Sequence, residues 1–495
     1  MTELDEAQPW LRLDKRMLLV HPVTEGAKFL PVLLVSFVLG AQSGNHTWGL
    51  ITVAVILVLA LLRWFTTFYR IGPVNIELRT GLFQKKLLSV PRSRIRSVDV
   101  EANLMHRVLG LSVVKIGTGT QGGVGDEKFL LNALDAKLVP ALRADLLAKA
   151  PVTDNSGEPA AALPAYEIAE FSPSWVRYAP FSSTGLLMVL APIGLAFQYG
   201  LVGRIEKSDT VSNGIDDAAQ FGLLAVVGVA FVVLIVVASA LACVRYLLAY
   251  ANLTVVDDTR VLHISHGLLK TRSTSLDRAR LRGSTLKEPL LLRLVGGAKL
   301  DGIMTGVSAA KRESSLVLPQ APATQARRVM AHLTGDTAQA SVPLVSHGPA
   351  ALRRRFTRAL IPVAIGVVVL VVAEVVDVVL WQYWLALGVI AVALVGLAID
   401  RYRGLGHAVM PGWLITQSGS LDRDRDCLQS AGIIGWTVRQ TFFQRRAGVA
   451  TVVAATPAGK RHYDVIDLPI EQAWSLIEAV RPGSGDIWVH TATPD

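Results

Sequence analysis

"GLFQKKLLSVPRSRIRSVDVEANLMHRVLG", residues 81–110, decides how this chain is read. It carries seven basic side chains, His106 included, against two acids, and it follows a long apolar stretch. Its skeleton returns twice. Aligned on the first glycine, residues 267–296 read "GLLKTRSTSLDRARLRGSTLKEPLLLRLVG" and residues 419–448 read "GSLDRDRDCLQSAGIIGWTVRQTFFQRRAG". Gly81 and Gly110, Gly267 and Gly296, and Gly419 and Gly448 all lie 29 residues apart. Arg107, Arg293 and Arg445 stand three residues before the second glycine, and Ile95, Leu281 and Ile433 fourteen after the first. A fixed period of this kind marks a repeated structural unit.

Each repeat follows apolar sequence. The chain has 495 residues, 51% of them hydrophobic, and a mean hydropathy of +0.43, too apolar for a soluble protein of this length. A helix needs about 20 mostly apolar residues to cross a bilayer. Six stretches approach this, in three pairs: Phe29–Gln42 with Trp48–Phe65, Phe181–Val202 with Phe221–Val244, and Ala359–Leu380 with Tyr383–Ile399. Short connections make each pair a helical hairpin. The first stretch is short, so a re-entrant helix is its alternative.

Lys and Arg set the orientation. Arg12, Lys15, Arg16 and Lys28 precede the first hairpin, and Arg63, Arg70 and Arg79 flank its end. Arg353, Arg354, Arg355 and Arg358 precede the third, and Arg401 and Arg403 follow it. The turns "SGNHTWG" and "LWQYW" carry neither Lys nor Arg. Hairpin tips therefore face outward and both termini lie in the cytoplasm. The N-terminus "MTELDEAQPWLRLDKRM" lacks the basic start and cleavage site of a signal peptide. The net charge of +10 then reads as positive-inside bias and attraction to anionic lipid, with no nucleic-acid role.

The polar segments read as strands followed by a helix. "VNIELRTGLF", "LHISHGLL" and "WLITQSGSL" are β-prone runs around a Gly-containing turn. "DAKLVPALRADLLAK", "PATQARRVMAHLTG" and "PIEQAWSLIEAV" space their apolar residues helically. The fold expected is an α+β membrane protein: three repeats of a transmembrane hairpin, then a small antiparallel sheet closed by a helix. The boundaries are an N-terminal segment 1–28, hairpin 29–65, domain 66–150, linker 151–180, hairpin 181–244, domain 245–336, basic linker 337–358, hairpin 359–399, domain 400–482 and tail 483–495.

The order of two spans, a strand, "GL", "VPRSRIRSV" and "HRVLGL", then strands and a helix, resembles the membrane-attached bacterial pleckstrin-homology (PH) domain. Three such units with six spans resemble the YdbT-like family of bacterial membrane proteins. Repeat three departs most, because "QSAGIIGW" lacks both arginines of "RIR". The resemblance implies a PH-like fold and a plasma-membrane location, and it implies no reaction.

Arg92, Arg94 and Arg96 alternate in sequence, as do Arg278, Arg280 and Arg282. On a strand each set would form a ladder on one face. With Lys85 and Lys86 they are the candidate contacts to anionic headgroups or to a partner, since juxtamembrane basic clusters gain about 1 kcal/mol per residue near such lipid. Glu374 and Asp377 share one face of the fifth stretch and are candidate intramembrane acids. The six glycines and Arg107, Arg293 and Arg445 are assigned to structure.

Catalytic chemistry is missing. "GTGTQGGVG", 117–125, lacks the Lys-Ser/Thr ending of a phosphate loop. His106, His263 and His266 have no partners at metal-ligand spacing, and in "DRDRD", 422–426, arginines neutralise the acids. No cofactor or metal is expected. Cys243 and Cys427 are too few and too far apart for a disulfide framework. The expected function is a non-enzymatic membrane platform that binds anionic lipid or protein partners in envelope maintenance or stress defence. Its candidate partners are the bilayer, a smaller membrane protein with one PH-like domain, and a second copy. The rival is a transporter or flippase-like component that uses Glu374 and Asp377.

Overall fold

A computed structural model of the chain describes residues 8–20, 65–81, 85–95, 97–117, 129–147, 166–182, 223–305, 315–335, 337–376 and 381–484, with isolated positions at 62 and between 185 and 198. The first stretch and nearly all of the second and third, the linker after residue 147, Arg96 and Asp377 lie outside the described residues. The chain divides into two compact units. One is Met1–Glu170, Leu248–Arg280 and Gly306–Ser308; the other is Phe171–Leu247, Leu281–Thr305 and Ala309–Asp495.

In the first unit β1 (Leu11–Arg12), β2 (Phe68–Ile71), β3 (Asn75–Thr80) and β4 (Lys86–Pro91) form an antiparallel sheet in that order. After Pro91 the chain makes a 3-10 turn over Arg92–Arg94, closed by the Ile95 N–H on the Arg92 carbonyl. It then enters a second sheet through β5 (Ser97–Ala102), β6 (Leu111–Gly117) and β7 (Phe129–Asp135), and a helix, Val139–Leu147, follows. Ile76, Val98, Leu111, Val114 and Leu131 fill the core, joined by Leu13, Met17 and Val20 of the N-terminal segment.

The second sheet does not end with the first repeat. β8 (Tyr166–Glu170), β9 (Thr254–Asp257), β10 (Val261–His266) and β11 (Thr271–Asp277) continue it, giving the order β7-β6-β5-β11-β10-β9-β8. β5 of repeat one thus pairs antiparallel with β11 of repeat two, Ser97 opposite Leu276 and Glu101 opposite Arg272.

The other unit repeats this junction. β12 (Leu281–Pro289), β13 (Gly297–Met304) and β14 (Leu316–Pro322) belong to repeat two; β15 (Gly406–Met410), β16 (Trp413–Ser418) and β17 (Asp422–Gln429) belong to repeat three. They form one sheet in the order β14-β13-β12-β17-β16-β15. β18 (Gly435–Arg439), β19 (Val449–Ala455) and β20 (His462–Pro469) make a three-stranded sheet, covered by helix Ile470–Val480. Ile433, Val452, Val465, Leu476 and Ile477 are its core. A separate closed sheet for each repeat, the sequence expectation, is replaced by sheets that run across consecutive repeats. The β5 and β12 edges, which would otherwise expose unpaired backbone, are thereby paired.

Three described helices are long and apolar enough to cross a membrane: Phe231–Tyr250 within Leu223–Tyr250, Gly348–Val375 and Trp381–Arg403. They carry the fourth, fifth and sixth apolar stretches. The last two pack together where Gly366 lets Leu387 approach, a Cβ at Gly366 being only 2.8 Å from Leu387 Cδ1. Their valines, such as Val368 and Val392, face outward, as lipid contact requires. Arg354 and Arg355, in the first turns of Gly348–Val375, are buried and each lies 3.1 Å from a carboxylate oxygen of fully buried Asp467 on β20. The basic linker therefore uses two of its charges to fasten this helix to the three-stranded sheet. Cys243 and Cys427 are free thiols.

Candidate functional site

Among the described residues the arginine ladders do not form. In all three repeats the strand stops at the same place and a 3-10 turn takes over, at Arg92–Arg94, Arg278–Arg280 and Ser430–Gly432. The turn carries the chain from one sheet to the next, so alternation in sequence does not become alternation on a face. Arg92 ion-pairs with Asp145 and donates to the Asp145 carbonyl at 2.9 Å, tying the corner to helix Val139–Leu147. Arg278 pairs with buried Asp257. Arg280 bonds Asp277 at 3.0 Å and reaches the Ile95 carbonyl of repeat one at 2.8 Å. In the other unit Arg282 lies against Gly432, where a Cβ would stand 3.1 Å from Arg282 Cδ. Any side chain at 432 would therefore require Arg282 to shift by a few tenths of an ångström.

Lys85, Lys86 and Arg94 are exposed, and neither Lys85 nor Arg94 has a polar partner among the described residues. Glu374 is exposed in the last turn of Gly348–Val375.

The repeat glycines shape the polar ends of the units. Gly81, Gly267 and Gly419 have φ of 119°, 110° and 102°, and Gly110, Gly296 and Gly448 have 69°, 76° and 66°. At Gly267 a Cβ would meet the Lys270 carbonyl oxygen at 2.0 Å. Positive φ and this approach leave glycine as the residue that fits.

Between the glycines lies a five-residue helix at one repeat position: Leu104–Val108, Leu290–Leu294 and Phe442–Arg446. Each starts with two large apolar residues. Leu104 and Met105 are 50% and 48% exposed, Leu290 is half-buried beside exposed Leu291, and Phe442 and Phe443 are 74% and 73% exposed. An exposed apolar residue at the second position of all three helices, Met105, Leu291 and Phe443, points to an apolar environment.

Two of these helices are tied to apolar span ends. Arg107 donates to the Leu268 carbonyl at 2.7 Å, and the Leu268 N–H donates to Leu248 in the last turn of Leu223–Tyr250. Arg293 pairs at 2.8 Å with Asp400, near the end of Trp381–Arg403, and Arg423 holds the other Asp400 oxygen at 2.9 Å. Arg445 is exposed with no partner among the described residues, and Arg446 stands beside it likewise. Leu268, Leu269 and Leu421 of the adjoining turns are exposed as well. The sequence reading passed over these apolar pairs. Extending the glycine alignment to the twenty-third and twenty-fourth residues would have found them.

The first unit also contains an open cleft of about 630 Å³, lined in part by Ser112, Val139, Arg143, Arg260 and His263. Arg143 donates to Ser273 at 2.9 Å and lies 3.0 Å from His263 Nδ1, while His263 Nε2 is 3.2 Å from Asp258. These groups bond one another, Arg143 Nε is buried without a hydrogen-bond partner among the described residues, and Arg260 stands exposed at the rim. His263 is thus a member of a polar cluster. His106 is buried, and burial lowers its pKa.

The model of the bacterial PH domain matches residues 28–150, 218–337 and 361–483. Among curated proteins the chain is similar to the UPF0699 transmembrane protein YdbT of Bacillus subtilis (strain 168), 20% identical over 303 residues. That match spans 58% of this chain and 60% of the relative's length. No solved structure matches. Three matches in register with the glycine repeats, together with helices able to cross a bilayer, place the chain in the bacterial PH domain family, as a membrane protein with three copies of that domain.

Proposed function

We propose that this chain is a non-enzymatic platform of the bacterial plasma membrane whose PH-like units lie on the cytoplasmic leaflet and bind anionic lipid. The observation that carries the reading is the exposed apolar residue at the second position of this helix in every repeat (Met105, Leu291 and Phe443), tied in two repeats to the end of an apolar helix. An element with apolar residues on one side and arginines beside them lies in the interface, with its apolar side in the headgroup and acyl boundary. Leu104 and Met105, Leu291 and Leu294, and Phe442 and Phe443 are the inserting residues. Lys85, Arg94, Arg445 and Arg446, free of polar partners among the described residues, attract anionic headgroups, each by about 1 kcal/mol near the surface. Arg92, Arg278 and Arg280 are committed to internal bonds.

On this reading the three apolar hairpins give six spans with both termini cytoplasmic, and the platform serves envelope maintenance or stress defence. Hydrogen exchange on the full chain tests it, in nanodiscs of phosphatidylcholine with and without phosphatidylglycerol. Residues 104–108, 290–294 and 442–446 gain protection in lipid over detergent, and 442–446 gains further, in a salt-sensitive way, with the anionic lipid. Exchange unchanged from detergent at all three segments refutes the reading.

A further inference from the structure

The two junctions between repeats are built in one register. Leu276, nine residues after its first glycine, faces Ser97, sixteen after the first glycine of the preceding repeat. Leu428 faces Gly283 in the same relation. Each repeat therefore has a donating strand (β5, β12, β18) and an accepting strand (β4, β11, β17). Pairing uses β5 with β11 and β12 with β17, so β18 and β4 remain as sheet edges with no neighbour among the described residues. Burial records the difference. Five of six β5 residues are buried and so is most of β12, whereas no residue of β18 is. Arg445 repeats the contrast, because Arg107 and Arg293 reach a partner in the next repeat and Arg445 has none among the described residues.

Charge says what the free edge accepts. Twenty residues after the first glycine stand Glu101, Lys287 and Arg439. Glu101 faces Arg272 and Lys287 faces Asp424, opposite charges in register in both junctions. Their ion pairs run to neighbours: Glu101 to Lys115 and Lys270, Arg272 to Asp99, Lys287 to Asp301, Asp424 to Lys460, and, on the free edge, exposed Arg439 to Asp464. In the same register Arg439 would face Lys86 of a second copy, and like charges directly opposite each other destabilise a strand pair. The donating and accepting strands left unpaired among the described residues, β18 and β4, therefore mismatch. We infer that the free edge of β18 docks an antiparallel strand of a different polypeptide that carries a carboxylate opposite Arg439. Backbone hydrogen bonds supply the affinity of such strand addition and the facing side chains supply its selectivity. This inference stands apart from the lipid contact proposed above.

The test uses the full chain in nanodiscs and a fluorescent peptide copying its own accepting strand, residues 419–429 with Cys427→Ser. In that peptide Asp424 occupies the place opposite Arg439. Anisotropy is expected to show binding at least about tenfold tighter than for the Asp424→Lys peptide, and Arg439→Glu protein reverses the preference, since tenfold is about 1.4 kcal/mol. An Arg425→Cys peptide also forms a disulfide with Val438→Cys protein, which confirms the register. Equal affinity for the two peptides, or no binding of either, overturns the inference. A disulfide between copies carrying Leu87→Cys and Val438→Cys, with Lys86 and Arg439 intact, makes a second copy the occupant and overturns the charge assignment.

Discussion

Asp467→Asn tests how the third hairpin is fastened. Asp467 is fully buried, and its side chain meets Arg354 and Arg355 at 3.1 Å each and the Gln444 amide at 2.9 Å. Its φ is +56°, a region asparagine tolerates well, so the substitution removes charge with little change in shape. Both guanidiniums are then buried without a counter-charge. Breaking a buried pair by removing one partner costs about 3–5 kcal/mol. A domain of ordinary stability holds about 5–15 kcal/mol, so much of the stability of repeat three is lost. Hydrogen exchange of β19 and β20 in detergent reads the change locally, with β5 and β6 as the internal reference. Protection in β19 and β20 is expected to fall by at least about a hundredfold while β5 and β6 are unchanged. A drop below about fivefold, near 1 kcal/mol, refutes the claim that Asp467 compensates the two arginines. The triple change Arg354→Met, Arg355→Met and Asp467→Leu removes the charges together, and recovers most of the protection.

Three further outcomes follow from the junctions and turns. Burial raises the Glu101 carboxyl, yet bonds from Lys115 and Lys270 outweigh it and hold it at about 2, below its ordinary 4.5. The unfolded chain therefore takes up this proton first, so the Glu101 contribution is complete above about pH 4.5 and is lost as pH falls toward 2; in Glu101→Gln, acid titration of β5 exchange loses that step. Gly419→Ala places a Cβ 1.9 Å from the Asp422 carbonyl oxygen at a φ of +102°, and thermal denaturation should show a loss of about 1–3 kcal/mol. Arg280→Ala removes the bond to Ile95 and the pair with Asp277, and costs about 1–2 kcal/mol in denaturant unfolding of the first unit, whereas Arg94→Ala costs under about 0.5.

The glycine spacing made the repeat legible because glycine at positive φ is a backbone demand that shows directly as a residue type. The apolar runs gave the last three helices for a similar reason, since length and hydropathy set a span. The shared sheets were not legible. Period-two alternation tells which face of β5 is buried, but not that Leu276, far along the chain, lies beside Ser97. The arginines misled for a related reason. Whether Arg92, Arg94 and Arg96 form a ladder depends on the chain staying extended, and the corner after Pro91 ends the strand. Arg107 recurs at one position of the repeat, yet its acceptor is the Leu268 carbonyl, a backbone atom with no signature in sequence.

The central claim is that the five-residue helices lie in the membrane interface. The most direct measurement attaches an environment-sensitive fluorophore to Cys substituted at Met105, Leu291 or Phe443 of the full chain in nanodiscs, with Cys243 and Cys427 replaced, and quenches it with lipids labelled at graded depths. The account predicts that all three positions are quenched most strongly by labels at the headgroup and upper acyl chain, while a control at exposed Thr437 on β18 is not quenched. Quenching at the three helices no stronger than at Thr437 would contradict it.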